Sequence, residues 1–314
     1  MNANSPKIAV ILLNWNNTDD TRACLDSLEK GSYKAYHVFL LDNGSRRNEK
    51  QKLKKIIQNR PNITPIFLSE NKGFAAGNNI ALKTAVSEPF DYFLLLNNDT
   101  VVSEDFLEAL VRCARQHPEA GGFGVKIFYF DAPDRLWYAG GKVEPLGARV
   151  RQFGFRQVDS GQWDRPQPVS FVTGCAFFIP RHTVETVGYL DETFFSYFED
   201  VDYSLRIQQN GRQLWYCPEA KLWHKVGAGA ETRAYSPYYL YYQTRNRLWA
   251  FARGRSVGVK IYLWGLNFSL YFLGRLGYLV FSFSENKGAK MKAVFWGFFH
   301  SLTHRTGRNA RWEA

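Results

Sequence analysis

The first half of the chain alternates short apolar runs with amphipathic stretches. Lys7–Leu13, Tyr36–Leu41, Ile63–Leu68 and Tyr92–Leu96 have strand length, and most are apolar enough to be buried on both faces. Between them, Thr18–Lys30 places Cys24, Leu25 and Leu28 at helical spacing behind a Thr/Asp start. Lys52–Gln58, Gly77–Val86 and Ser103–Gln116 read as further helices, the last with Ser103 as N-cap. This alternation predicts an α/β fold with a mainly parallel sheet flanked by helices. From Gly121 to Pro180 the pattern becomes Gly-rich, aromatic and alternating, which predicts antiparallel strands and long loops over the sheet edge. Asp200–Gln209 then reads as helix, Gln213–Cys217 and Ala220–His224 as short strands, and everything from Pro237 onward as helical. The expected division is a catalytic-looking domain over residues 1–235 and a helical region over 236–314.

Ligands of such sheets bind beyond the carboxyl ends of the strands. Those ends read LLNWNN, LLDNGS and LLLNNDT here, so each apolar run passes straight into Asn and Asp. Asn14, Asp42, Asn97, Asn98 and Asp99 are the groups this edge offers to a polar ligand. Asp99 can hold Mg²⁺ or Mn²⁺ while a diphosphate supplies further oxygens, or it can simply cap its turn. Asp42 can meet a nucleobase or ribose, or serve as a turn residue. In SENKGFAAGNN, Ser69–Asn79, Gly73 and Gly77 let backbone amides approach a nucleotide, with Asn71 and Asn78 as hydrogen-bonding arms. The spacing is neither GxGxxG nor a Walker loop, and a plain turn is the alternative.

In FFSYFEDVDYSLR, Glu199, Asp200 and Asp202 open a helix. Capping explains one acid, and Asp202–Arg206 has the spacing of an ordinary surface pair. The Phe/Tyr-rich surround supports another reading, in which Glu199 or Asp200 deprotonates an acceptor hydroxyl. Burial and neighbouring acids must then outweigh the helix dipole, which lowers an acid's pKa. His224, at a strand end in LWHKVG, is either structural or a metal ligand.

Composition narrows the class. Aromatics make up 16% of the 314 residues, an excess that suits stacking on flat ligands or a lipid–water boundary. The net charge of +11 is concentrated late: from Arg253 onward ten Lys/Arg face only Glu285 and Glu313. A basic, aromatic end suits anionic headgroups or a phosphate-bearing acceptor; no recognition motif points to nucleic acid. Ile261–Phe283 spans 23 residues with Arg275 as its only charge, long enough to cross a bilayer. Arg275, Asn267 and the scattered Trp/Tyr favour a helix or hairpin in the interface, with a soluble packing helix as the third option. Cys24, Cys113, Cys175 and Cys217 form no CxxC pair, which argues against a zinc site or disulfide framework and for a reducing compartment. The start MNANSPKIAVILLNW reads as a first buried strand rather than a signal peptide.

Taken in order, VILLNWNN, FLLDNGS, SENKGFAAGNN, FLLLNNDT, FVTGCAFFIPR, GYLDETFFSYFEDVDYSLR and KLWHKVGAG resemble the family 2 glycosyltransferases, in particular their rhamnosyltransferase-like branch. The resemblance implies a GT-A fold, a nucleotide diphosphate sugar donor, a divalent metal (Mg²⁺ or Mn²⁺) and inversion at the anomeric carbon. It implies that Asp42 contacts the nucleoside and that Asn71, Gly73 and Asn78 form the donor loop. Asn97-Asn98-Asp99 matches the metal-binding DxD segment, with Asp99 as the retained carboxylate. Asp200 matches the general base, with Glu199 beside it; His224 matches a position that can complete the metal site. Thr173-Gly174 matches a loop lining the donor and acceptor pocket. Asn97 departs from DxD, so greater reliance on His224 and the diphosphate is expected. The expected donor is a dTDP- or UDP-sugar, with L-rhamnose as first choice. The expected acceptor is a lipid-linked or cell-surface saccharide, at the cytoplasmic side of the plasma membrane, with the protein peripheral or monotopic. A nucleotidyltransferase of related fold would carry a basic Gly-rich loop where this chain has NWNNTDD. A non-catalytic sugar-binding module would not need Glu199-Asp200 as well as Asp99.

Overall fold

The computed structural model describes residues 5–226, 236–281 and 285–312. Four parallel strands form one half of the sheet: β1 (Ile8–Asn14), β2 (Tyr36–Asp42), β3 (Ile63–Phe67) and β4 (Tyr92–Asn97). β1 lies between β2 and β4, and its residues Ile8 to Leu12 are fully buried, as an apolar run covered on both faces should be. The connecting helices are α1 (Thr18–Lys30), α2 (Arg47–Ile57) and α3 (Phe74–Val86).

The other half is mixed. After β5 (Thr100–Val102) and α4 (Phe106–Gln116) come β6 (Gly122–Tyr129), β7 (Ala132–Tyr138), the hairpin β8 (Gly141–Glu144) and β9 (Arg149–Gln152), β10 (Gln167–Val169) and β11 (Ala176–Pro180). Two helices, α5 (Arg181–Val187) and α6 (Glu199–Gln209), precede β12 (Leu214–His224). The ten-stranded sheet runs β10-β12-β6-β11-β4-β1-β2-β3, with β5 paired to β12 and β7 to β6. β11 is antiparallel to β4 and β12 parallel to β6, so the expected antiparallel insert extends the sheet rather than only covering its edge.

Several boundaries move for physical reasons. The helix expected from Gly77 starts at Phe74, because Gly73 takes a left-handed φ of 89° that ends the preceding loop early. The helix expected at Lys52 starts at Arg47. Ser103 is not the N-cap of α4: its backbone N–H bonds Lys221 and its hydroxyl bonds Asp105, the capping residue. The two strands expected over 213–224 are one, with a register shift between Cys217 and Lys221. The cysteine reading is also corrected. α4 packs on β12, which brings Cys113 and Cys217 together as a disulfide across 104 residues of sequence. Linear spacing could not show that meeting, and the cysteines no longer argue for a reducing compartment.

The C-terminal region contains α7 (Pro237–Ala252), α8 (Val257–Tyr262), a π-helical turn over Leu263–Asn267, α9 (Phe268–Phe281) and α10 (Lys287–Leu302). Leu248 and Phe251 of α7 join the same apolar cluster as β1, β4 and β6, so this region is packed into the body. The run expected over Ile261–Phe283 is split among three elements, and Ser282 and Phe283 lie outside the described residues. Among the described residues no helix is long and apolar enough to cross a membrane. Leu270, Leu273, Tyr278 and Phe281 of α9 nevertheless point outward, Phe281 being 86% exposed.

Candidate active site

Register brings the polar strand ends together. Asn14 pairs with Asp42 across β1 and β2, and Leu13 with Asn97 across β1 and β4. Asn14 is buried; its amide donates to Asp42 Oδ1 at 2.9 Å, and its Oδ1 accepts from Thr21 at 2.8 Å. Asp42 is also buried, accepting from the Ser45 N–H at 3.2 Å and lying 3.7 Å from the Lys50 ammonium. Both groups are therefore consumed in building the edge, and neither presents a free polar face. Asn98 likewise donates to Thr21 and to the Asn17 carbonyl. Asn97 remains partly exposed, with its N–H on the Cys175 carbonyl.

The loop expected to bind the donor, Ser69–Asn79, is organised by Asn43, which sequence reading missed. Its amide donates to Asn71 Oδ1 and the Gly73 carbonyl, both at 3.0 Å, and its oxygen accepts from the Lys72 N–H. Asn71 in turn receives the Gly73 N–H at 2.8 Å. At Gly73 a Cβ would lie 2.5 Å from the Phe195 carbonyl, so the loop packs directly on the segment before α6. Asn78 does not act as a free arm: it is buried and donates to the Phe74 carbonyl of its own helix.

Asp99 sits at the turn after β4 with a side chain 30% exposed, and its Oδ1 lies 3.1 Å from His224 Nε2. β12 runs antiparallel to β5, placing His224 opposite Thr100 and thus beside Asp99. Burial opposes a charged imidazole, but Cys175 and Asp99 outweigh it and hold the His224 pKa well above the usual histidine value. Among the described residues no group of three His, Cys, Asp or Glu side chains converges for a metal. Asp99 offers one oxygen, and His224 can add its Nε2 only once an ion displaces its proton; the remaining ligands would be diphosphate oxygens and water. Gly227 to Gly229 of the KLWHKVGAG segment lie outside the described residues.

Glu199 and Asp200 occupy the first turn of α6. Asp200 is partly buried and accepts the Gly174 N–H at 2.9 Å and the Val201 N–H at 2.8 Å. Glu199 is 6% exposed, and its Oε2 has no hydrogen-bond partner. Burial raises both pKa values, Glu199 the further, with Asp200 adding to the shift of Glu199. Two N–H donors from Gly174 and Val201 stabilise a carboxylate on Asp200, whereas Glu199 has only its own backbone N–H and a buried, unpartnered Oε2. The shared charge therefore rests on Asp200, and Glu199 holds the proton. Asp202 is not part of a surface pair: it is buried, with Arg206 at 2.8 Å and Arg253 at 3.3 Å.

The turn that delivers these acids is unusual. Tyr197 and Phe198 both have left-handed φ, 68° and 74°, which bulky residues rarely adopt. Asn246 of α7 holds them, its buried amide donating to the Ser196 and Tyr197 carbonyls at 2.9 Å each. Arg245 fixes that amide by donating to its oxygen at 2.8 Å. Nothing in the local sequence signals this role of Asn246.

Thr173-Gly174-Cys175 joins the two acidic groups. Gly174 binds Asp200, the Cys175 sulfur faces His224, and both Asp99 and Asp200 act electrostatically on Cys175. Thr173 is buried and closes this loop through its hydroxyl to the Cys175 N–H. A concavity of about 990 Å³ lined by Lys7, Tyr36 and His37 opens instead at the amino ends of the strands, away from these groups.

An α/β sheet with a carboxylate after β4, joined through Gly174-Cys175 to an acid pair at a helix start, is the architecture of a GT-A sugar transferase. The comparisons agree: the Glycosyl transferase family 2 profile matches residues 9–187, and the chain belongs to that family. An N-acetylglucosaminyl-diphospho-decaprenol L-rhamnosyltransferase of Mycobacterium tuberculosis is 26% identical over 223 residues, 64% of this chain and 70% of its own. A low-salt glycan biosynthesis hexosyltransferase of Haloferax volcanii is 22% identical over 97% of this chain and 94% of its own. Among solved structures, a mannosyltransferase of Pyrobaculum calidifontis with GDP-Man and Mn²⁺ superposes with a TM-score of 0.58 at 13% identity, covering 96% of this chain and 89% of that one. The fold class and the glycosyltransferase assignment expected from sequence therefore hold.

Proposed function

We propose that this glycosyltransferase moves a hexose, with L-rhamnose as first choice, from a dTDP- or UDP-linked donor to a hydroxyl of a lipid-linked saccharide, with inversion. The observation that carries the reading is the joining of Asp99–His224 to Asp200 through Gly174-Cys175, which sets a cation-holding pair beside a base. Asp99 and, after loss of its proton, His224 would hold Mg²⁺ or Mn²⁺, a cation that would supply charge neutralisation for the leaving diphosphate. Asn71 and Gly73 shape the donor loop, while Asn14, Asp42, Asn78 and Asn98 hold it and the strand ends in place. Thr173-Gly174 fixes the Asp200 carboxylate, which takes the acceptor proton as the hydroxyl attacks the anomeric carbon from the face opposite the diphosphate. Glu199, kept neutral, holds the local charge to one.

Two relatives support the sugar: the mycobacterial L-rhamnosyltransferase named above, and a dTDP-rhamnosyl transferase of Shigella flexneri, 23% identical over 67% of this chain and 69% of its own. The outward apolar residues of α9 support attachment to a membrane surface without crossing it, the cytoplasmic face being the side proposed. The test is a thermal-shift panel of nucleotide sugars with Mg²⁺ or Mn²⁺, followed by transfer assays with the stabilising donor. A dTDP- or UDP-sugar should raise the melting temperature only with the cation. Equal stabilisation without it would remove the metal role, and stabilisation by GDP-sugars alone would remove the donor choice.

A further inference from the structure

The C-terminal segment returns against α7 and α10. Gly307 donates its N–H to the Thr193 carbonyl and its own carbonyl accepts from Arg245 at 2.7 Å. Trp312 packs in the apolar cluster that holds Phe195 and Tyr241. Between this segment and the two helices lies a concavity of about 500 Å³ that the chemistry at Asp200 does not use. Arg305, Arg311, Tyr241, Trp296 and Trp312 line it, and among the described residues no Asp or Glu does. Arg308 lines it too but is engaged with Glu70 at 3.7 Å. Arg305 and Arg311 make no ion pair among the described residues. The Arg311 guanidinium lies over the Trp296 and Trp312 rings, at 5.7 and 5.5 Å. The Trp312 indole N–H is buried with no hydrogen-bond partner. A positive hollow with aromatic walls suits an anion attached to apolar groups.

The neighbouring face of α10 supplies an apolar side. Phe295, Phe299 and Leu302 recur at helical spacing on one face, and all three are exposed. Trp296 joins that face to the concavity: its ring meets Phe299 edge-on at 5.7 Å and His300 at 5.4 Å. His300 is in turn hydrogen-bonded to Tyr241 at 2.7 Å. An indole between charged groups and an apolar surface is the arrangement of a lipid–water boundary. A second copy of the chain fits less well. Symmetric pairing through this face would set the same cations near one another, and from Arg253 onward Glu285 is the only acid among the described residues.

We infer that Arg305 and Arg311, with Trp296 and Trp312, form a headgroup site for an anionic phospholipid, its phosphate in the concavity and its acyl chains along Phe295, Phe299 and Leu302. This rests on the membrane-attachment reading above and adds to it a lipid preference and the residues that set it. The measurement is co-sedimentation of the full chain with phosphatidylcholine vesicles, with and without phosphatidylglycerol. Wild type is compared with Arg305→Gln/Arg311→Gln and with Phe295→Ser/Phe299→Ser. A third variant, Lys54→Gln/Lys55→Gln on α2, removes the same charge elsewhere. All six positions are exposed, and thermal melting checks each protein first.

Wild type should prefer vesicles containing phosphatidylglycerol. Removing both arginines should weaken that binding about 25-fold, about fivefold for each charge, and removing the α2 pair at most about twofold. The Phe pair should weaken binding to both kinds of vesicle. Equal losses from the arginine and α2 pairs would mean attraction by net charge alone; the site is then overturned while membrane attachment stands. The same holds if phosphatidylglycerol makes no difference to wild type. If wild type sediments with neither vesicle, the attachment reading falls and takes the site with it. If, in that case, glycerol 1-phosphate raises the melting temperature of wild type but not of the arginine variant, the concavity takes a soluble anion instead. A dimer in solution that the Phe pair disperses would give this face to a second copy and overturn the lipid site too.

Discussion

Asp99 and Asp200 lie about a hundred residues apart in sequence and are linked in space by Gly174-Cys175, yet their surroundings are opposites. Asp99 stands on a turn at the end of a parallel strand, a third exposed, with one imidazole beside it. Asp200 stands at a helix start, only partly exposed, held by two backbone N–H groups and beside a second, buried acid. The first is made by the sheet; the second is made by packing that reaches into the C-terminal helices. An open carboxylate suits a cation that arrives with its diphosphate. A partly buried carboxylate with a raised pKa suits a proton acceptor, because its basicity is no longer that of aspartate in water.

The contrast is broken most severely at Asp200. Asp200→Asn nearly keeps the shape and removes the base, while its single amide oxygen can keep only one of the Gly174 and Val201 N–H contacts. Turnover should fall about 10²- to 10⁴-fold with donor affinity largely intact, as read by transfer kinetics and calorimetry. Wild-type turnover in this variant would show that the two acidic groups do not divide the work as argued. In the wild type, the acid limb of the kcat profile should lie above the ordinary aspartate range, since burial raises this pKa.

Asp99→Ala tests the open group. Metal-dependent donor binding should weaken about 10- to 100-fold, the loss of one charged contact. Binding without metal should barely change. If calorimetry with Mn²⁺ gives the same affinity for variant and wild type, Asp99 does not hold the ion.

These two residues also mark how far the sequence could be read. Asp99 was legible because its strand is a local apolar run and its turn follows directly. Register between β1, β2 and β4 then did what parallel pairing must, gathering Asn14, Asp42 and Asn97 at one edge. The acid pair was legible as residues but not as a site. Its dehydration comes from aromatic packing, its geometry from left-handed Tyr197 and Phe198, and its brace from Asn246, all contacts of high sequence separation. The Cys113–Cys217 bond escaped for the same reason. Asp42 and Asn78 were legible as polar positions, whereas their burial against partners was not.

Asn246→Ala sharpens the comparison from the packing side. Two carbonyls at 2.9 Å would lose their donor, and the strained turn would relax. Turnover should fall about tenfold while donor affinity, on the proposal a property of the Asp99 group, stays constant. A change in protein stability alone, with kcat and its pH profile unmoved, would reduce Asn246 to a packing residue.

The smallest effect concerns Glu199. Its pKa is raised in the folded protein, chiefly by burial and then by Asp200, and returns to its ordinary value on unfolding. The unfolded state therefore releases its proton at lower pH than the folded state. The resulting penalty on stability is absent below the ordinary glutamate value of about 4.3, grows as pH rises, and levels off above the folded pKa. Glu199→Gln removes the penalty and keeps the shape. Its melting temperature should exceed wild type by about 3 °C at pH 7, and the gap should close as pH falls toward 4. A gap that is constant with pH would mean the carboxyl is hydrated like Asp99. The distinction between an open cation-holding acid and a closed proton-handling pair would then fail at its driest member.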